Sequence, residues 1–252
     1  MIYDCFLYNG EKECLQTRCE ELKELNVTHV LIESCFTFSG KSNTLKYWDF
    51  SNLYSYNIKP FLFNNMPNNG NAWDNESAQR NYILKALETL GAKDDDVVVI
   101  SDADEIPSYK AVNSYNADIG LAALSMDLYY YYFNCLGGKQ QWPAAKICLY
   151  KHLKTHTPQG IRESGYGDLI NNGGWHFSYL GDVDSIVNKL ESYSHTEFDT
   201  EEIKGRNRIE QKIKNGESLV NNNKFTFIEL DESFPQYIVE NKDKYSHLIK
   251  PV

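Results

Sequence analysis

The stretch VVVISDADEIP, Val97 to Pro107, constrains the fold more than any other part of the chain. Its apolar run Val97–Ile100 is unbroken, which reads as a strand buried on both faces, as in a parallel sheet covered by helices. Three acids then fall within four positions, at Asp102, Asp104 and Glu105, before Pro107 breaks the pattern. In open α/β sheets, ligands sit outside the carboxyl ends of the strands. The acids therefore stand where a buried strand opens onto a cleft.

The segments leading to this strand fit such a sheet. Ile2–Tyr8 is rich in β-branched and aromatic residues and ends in an Asn9-Gly10 turn signal. Leu15, Cys19, Leu22 and Leu25 follow at helical spacing. Val27–Ser34 is a second strand, carrying Glu33 near its end, and Ile58–Phe63 a third. After a loop over residues 64–71, a helix is predicted from Ala72 to Gly91, capped by Asp74 or Asn75. Its apolar face is Ile83, Leu84, Leu87 and Leu90. The order strand, helix, strand, strand, helix, strand argues for an α/β fold with a mostly parallel sheet.

The second half is less regular. Residues 119–136 read as two strands with an aromatic run, Tyr129 to Phe133, and residues 144–153 as another strand. Residues 173–180 form a strand opened by Gly173 and Gly174. Helices are predicted over 182–194 and 199–216, a strand over 224–230 and a short helix within 237–249. Neither a repeat nor a low-complexity linker divides the chain, so its 252 residues are expected to form one domain.

Charge narrows the partners. With 25 basic and 35 acidic residues the formal charge is −10, which repels polyanions and speaks against nucleic acid. A small phosphorylated ligand then needs a local positive device, a metal ion or placed basic side chains. No apolar run approaches the ~20 residues of a membrane helix, and the start lacks the pattern of a signal peptide, so a cytoplasmic location is expected. The six cysteines are scattered without a C-x-x-C pair and are read as reduced and structural.

Alternating carboxylates at a strand end can reach one hard cation, so Asp102 and Asp104 are the expected metal ligands. His176, after two glycines that permit close backbone approach, is the expected third ligand, with His195 as competitor. The other four histidines have no such context. Glu33 can accept a hydrogen bond from a nucleotide base or serve as an ordinary surface or cap acid. Tyr8 and Asn9 can flank the same ring. Arg80 and Lys189 can reach phosphate or face solvent as ordinary helix charges. A general base is expected among Glu163, Asp168 and Asp184, although Asp184 also suits a helix cap.

Five motifs in order, ESCFTFSGKSNTL, WDNESAQRNYIL, DDDVVVISDADEIP, GGWHFSYLGDVDSIVNKLESYSH and FPQYIVENKDKYSHLIKP, resemble glycosyltransferase family 17 from near residue 1 to the end. This is the family of the β-1,4-mannosyl-glycoprotein 4-β-N-acetylglucosaminyltransferase. The resemblance implies a GT-A type, Rossmann-like fold, with residues 1–106 mainly binding a nucleotide sugar and 107–252 mainly the acceptor. It implies a UDP-sugar donor, UDP-GlcNAc first among them, a glycan acceptor, Mn²⁺ or Mg²⁺, and inversion at the anomeric carbon. Asp102, Asp104 and Glu105 fall on the family's acidic box, Gly174-Trp175-His176 on its G-W-H, and Ile186, Lys189 and Leu190 on the I-x-x-K-L that follows. An acid at the end of the second strand, here Glu33, is expected against uracil. The vertebrate relatives carry a membrane anchor, a stem and a longer middle region, which points here to a different glycan acceptor and to action in the cytoplasm. Two other classes remain open: a sugar-nucleotide or glycan-binding module whose aromatics (Tyr129 to Tyr132, Trp142, Trp175) stack on sugars, and a metal-dependent phosphohydrolase or nucleotidyltransferase.

Overall fold

A computed structural model describes residues 1–47, 55–67, 69–165 and 167–252; Asn68, within the predicted loop over 64–71, lies outside the described residues. The first half alternates as expected: β1 (Ile2–Leu7), α1 (Lys12–Glu21), β2 (Val27–Ser34), β3 (Ile58–Phe63), α2 (Ala72–Thr89) and β4 (Val97–Asp102). These strands lie in the order β3-β2-β1-β4, all parallel. The chain therefore leaves β1 in one direction for β2 and β3 and returns on its other side for β4. That reversal makes the carboxyl ends of β1 and β4 a topological switch point, the crevice where such sheets bind ligands.

Period-two alternation assigns side chains to the two faces. From β1, Tyr3, Cys5 and Leu7 pack with Val98 and Ile100 of β4 under Ile83, Ala86 and Leu87 of α2. On the other face Phe6 and Tyr8 pack with Leu15 and Cys19 of α1. The cap of α2 differs from expectation. Asn71 caps it, its side chain accepting from the Trp73 N–H at 3.1 Å, while the Asn75 amide holds the Phe38 carbonyl at 2.8 Å. Asp74 lies in the first turn, where its charge suits the helix dipole.

The second half extends the sheet mainly in the antiparallel sense. It contains β5 (Glu105–Pro107), α3 (Tyr109–Ser114), β6 (Ala122–Tyr130), β7 (Cys135–Trp142), β8 (Lys146–Leu149), α4 (Tyr150–Leu153), α5 (Pro158–Glu163), β9 (Asp168–Ser178), α6 (Val183–Ser192), α7 (Glu201–Lys204), α8 (Arg206–Asn215), β10 (Thr226–Phe227) and α9 (Gln236–Glu240). β8 pairs antiparallel with β4, β6 with β8, β7 with β6 and β10 with β7. β9 runs parallel to β6 and antiparallel to β5.

Several local expectations shift. The strand predicted over 144–153 is confined to β8 and then turns into α4; the helix predicted over 199–216 divides at Gly205 into α7 and α8. The two glycines at 173–174 serve close packing within the sheet. A Cβ on Gly173 would lie 2.7 Å from the Leu124 carbonyl carbon, and one on Gly174, at φ +142°, 2.0 Å from the Ile106 oxygen. In the aromatic run Tyr129, Tyr131 and Phe133 are buried, and Tyr130 stacks on Phe225 at 4.1 Å. All six cysteines are free and five are buried. Among the described residues no helix is long and apolar enough to cross a membrane.

The two sides of α2 should respond oppositely to truncation. Ile83→Ala, at a fully buried site, is expected to lower unfolding free energy by about 2–5 kcal/mol in denaturant titration. Lys85→Ala, on the exposed side, should change it by no more than about 0.5 kcal/mol.

Candidate functional site

At the switch point lies a cavity of about 590 Å³. Tyr8 and Asn9 line it from the end of β1, Asp102 to Asp104 from the end of β4, and Arg80 and Lys189 from α2 and α6. A second cavity of about 490 Å³ shares Asn9, Asp104 and Lys189 with the first. The two cavities therefore adjoin at the acidic turn.

Strand alternation explains how the acids are held. Asp102 continues the face of Val98 and Ile100, so it meets the helix packed there. Arg80 of α2 donates to its Oδ1 at 2.6 Å, and Arg162 of α5 to its Oδ2 at 2.8 Å. Burial would raise the Asp102 carboxyl, but Arg162 and Arg80 outweigh it and hold the group at about 2. Glu105, fully buried, ties the turn together. Its carboxylate accepts from the Asp102 N–H at 2.9 Å, from Arg162 at 2.5 and 2.7 Å, and from the Trp142 indole N–H.

Asp104 has different partners. Lys189 donates to its Oδ2 at 2.6 Å, and His176 Nε2 lies 3.5 Å from the same oxygen. Burial opposes ionisation, yet Lys189 and His176 prevail and keep this carboxyl well below the usual range. Asp104 in turn raises the Lys189 ammonium against the effect of burial. His176 faces Glu105 across the β5–β9 pair, and its other ring nitrogen, Nδ1, is buried without a hydrogen-bond partner among the described residues.

The remaining expected site residues divide. Tyr8 and Asn9 line the cleft, and Asn9 accepts from Lys46 Nζ at 2.8 Å. Glu33 is buried and accepts from the main-chain N–H groups of Lys46 and Tyr47. It fixes the loop bordering the smaller cavity. His195 lines the larger cavity, but its ring contacts are Trp73, Tyr193 and Phe198, and its Nδ1 pairs with Glu197 at 2.7 Å. Of the three carboxylates put forward as a base, Glu163 lines the larger cavity. Asp184 is exposed and pairs with Arg206 at 2.6 Å, and Asp168 is exposed at the start of β9. The cap of α6 is Asp182 rather than Asp184.

Sequence reading passed over four residues that belong here. One is Arg162; another is Glu76, which accepts from both terminal nitrogens of Arg80 at 2.9 Å and from the Ser194 hydroxyl. Glu11 follows the Asn9-Gly10 turn; burial raises its carboxyl, the Asn9 N–H partly offsets this, and the charge of Asp104 adds to the rise. Arg18, on α1, lies fully buried beneath the acidic turn.

Among the described residues no three His, Cys, Asp or Glu side chains stand together as a metal cage. Asp104 and His176 converge, while Asp102 is turned to its arginines. A cation held by one or two protein ligands and completed by substrate phosphates needs no protein cage. The donor set of carboxylate oxygen and imidazole, at a point already attractive to an ammonium, fits such an ion.

Comparison with protein families matches residues 1–251 to glycosyltransferase family 17. Comparison with curated proteins gives no significant sequence match. Solved structures similar to the chain include the glycosyltransferase GlyE of Streptococcus pneumoniae TIGR4, at 13% identity and TM-score 0.33, over 64% of this chain and 36% of that one. They also include 4-diphosphocytidyl-2C-methyl-D-erythritol synthase, at 14% identity and TM-score 0.38, over 81% and 96%. A third is galactosyltransferase LgtC in complex with donor and acceptor sugar analogues, at 13% identity and TM-score 0.33, over 66% and 67%. Likenesses this distant do not bear on activity.

The lowered Asp102 carboxyl has a consequence for acid stability. A depressed folded-state value stabilises the fold above the ordinary carboxyl range, and that contribution is lost as pH falls toward the folded value of about 2. Between pH about 4 and 2, wild-type protein should lose stability more steeply than Asp102→Asn, as read by thermal melts across that range.

Proposed function

The chain belongs to glycosyltransferase family 17, and we propose that it moves a sugar from a UDP-sugar, UDP-GlcNAc first among the candidates, to a hydroxyl of a glycan, inverting the anomeric carbon. The observation that carries this reading is the pair of adjoining cavities at the switch point, with Asp104, Lys189 and Asn9 among the residues lining both. A nucleotide sugar has the same division: a polar base and ribose, a charged diphosphate, then a sugar. In this reading the nucleoside takes the smaller cavity, beside Asn9 and Lys46. The diphosphate crosses the shared segment, and the donor sugar and acceptor occupy the larger cavity.

Glu33 then acts on the nucleoside through the loop it fixes. Lys189, held over Asp104, supplies positive charge to the diphosphate. Arg80 and Arg162, both spanned by carboxylates, keep the acidic turn in shape. Glu163 is the proposed base: it removes the acceptor hydroxyl proton as the oxygen attacks C1 from the side opposite UDP. The bond between C1 and the diphosphate oxygen breaks, and its electron pair leaves with UDP. A divalent cation, Mn²⁺ or Mg²⁺, bound by Asp104 and His176 with Asp102 beside them, would supply Lewis-acid neutralisation of that diphosphate. Such charge stabilisation is typically the largest catalytic term.

Asp104→Ala is expected to lower UDP release from UDP-GlcNAc with manganese by on the order of 10²-fold or more, while retaining a cooperative thermal transition. A wild-type rate in that variant overturns the reading. The products sort the alternatives: UDP supports transfer, binding without release supports a sugar-nucleotide-binding module, and UMP or phosphate supports a hydrolase.

A further inference from the structure

We infer that Arg18 is a positioning residue for the acidic turn, setting the directions of Asp102 and Asp104 from beneath the sheet without touching any ligand. The inference rests on the transferase reading. Arg18 is fully buried in α1, with its guanidinium carbon 4.4 Å from the Phe6 ring centre. One terminal nitrogen, Nη2, lies 2.6 Å from the Asp102 carbonyl oxygen, 2.5 Å from that of Glu105 and 3.0 Å from Ser101 Oγ. The other, Nη1, donates to Asp4 Oδ1 at 2.6 Å, and Asp4 Oδ2 lies 2.8 Å from His29 Nδ1.

Packing α1 on the sheet does not require this. Leu15, Cys19 and Leu22 fill neighbouring buried sites of the same segment with apolar groups. A buried arginine costs free energy unless its donors are met; both terminal nitrogens of Arg18 find acceptors, while its Nε has none among the described residues. Here the acceptors are carbonyls from both ends of the turn whose side chains form the site. Carbonyl oxygens converging on one point repel one another, and a cation between them removes that repulsion. With the carbonyls of Asp102 and Glu105 drawn toward α1, the side chain of Asp102 is left for Arg80 and Arg162, and that of Asp104 for Lys189 and His176. The planar fork of arginine serves Asp4 and the turn together, whereas the single ammonium of lysine cannot span both.

Arg18→Lys tests this, because it keeps a charge beside Asp4 and removes the fork. Calorimetry of UDP binding with manganese should show affinity weakened about tenfold, and kcat for UDP release lowered about tenfold or more, in a variant that melts cooperatively. Leu15→Ala, which truncates a core residue on the same helix, should lower the melting temperature and leave both readouts at wild-type values. Wild-type affinity and kcat in Arg18→Lys overturn the inference, as do equal losses in Leu15→Ala. If Arg18→Lys does not fold, Asp4→Asn loosens the anchor of Nη1, and UDP affinity should weaken about threefold or more; unchanged affinity there overturns the role. Wild-type protein that binds UDP but releases none from UDP-GlcNAc refutes transfer and leaves the Arg18 comparison readable by affinity. Wild-type protein that does not bind UDP overturns both.

Discussion

The negative charge gathered at the end of β4 is tolerable only because cations from three other elements meet it. Asp102, Asp104 and Glu105 lie within four residues, and Arg80 of α2, Arg162 of α5 and Lys189 of α6 close on them. Removing one member of such a buried pair leaves the other uncompensated, at a cost of about 3–5 kcal/mol. The Glu105–Arg162 pair falls most squarely in that range, since Glu105 has no exposed surface and Arg162 little. The pairs made by Arg162 and Lys189 join the first half of the chain to the second. Both halves must therefore dock before the site exists.

Strand alternation turns this charge balance into geometry. Successive residues of β4 face opposite helices, so Ser101 and the turn carbonyls look toward α1 while the Asp102 side chain looks toward α2. An arginine waits on each face, Arg18 below and Arg80 above. The turn is gripped by its main chain from one side and by its carboxylates from the other. A loop held in this way changes shape little when one ligand atom arrives, which is what preorganisation for a charged group requires.

How much of this was legible in the sequence depends on the distance over which each feature is decided. β2 and β3 match their predicted bounds because hydrophobic runs and neighbouring turn residues are local signals. The acidic turn was legible for the same reason. The cations that hold it were not. Arg162 lies 57 residues from Glu105 and 60 from Asp102, and no spacing rule connects them. Arg80 was noticed as a possible phosphate ligand; its i,i+4 partner Glu76 lies on the same helix, but Gln159 reaches it only when α2 and α5 pack. Glu33 was read from its place at a strand end, where an acid can face a ligand. The loop that folds back through Lys46 and Tyr47 supplies it with main-chain donors, and composition does not reveal that return. Histidine shows the same limit. His29 had no context in sequence, yet it is buried against Asp4 in the group that anchors Arg18.

Under the proposed function, the Lys189–Asp104 pair bears on how a diphosphate could be accepted by a chain that carries a net charge of −10. Beyond a screening length of about 8 Å at physiological salt, the overall charge counts for little, and the local balance governs binding. Lys189 sits on a flexible stem with its ammonium 2.6 Å from Asp104 and its side chain 29% exposed, so it is the cation most able to change partners. Arg80 and Arg162 are more deeply buried and fixed by several acceptors each. In the proposed reaction Asp104 would hold a divalent ion that supplies its counter-charge, and Lys189 would then be released to pair with phosphate. Asp104 would then keep a cation beside it whichever of the two it holds. Under that proposal, donor and ion entering together would leave no buried charge unpaired, whereas either one alone would leave Lys189 or Asp104 less well matched.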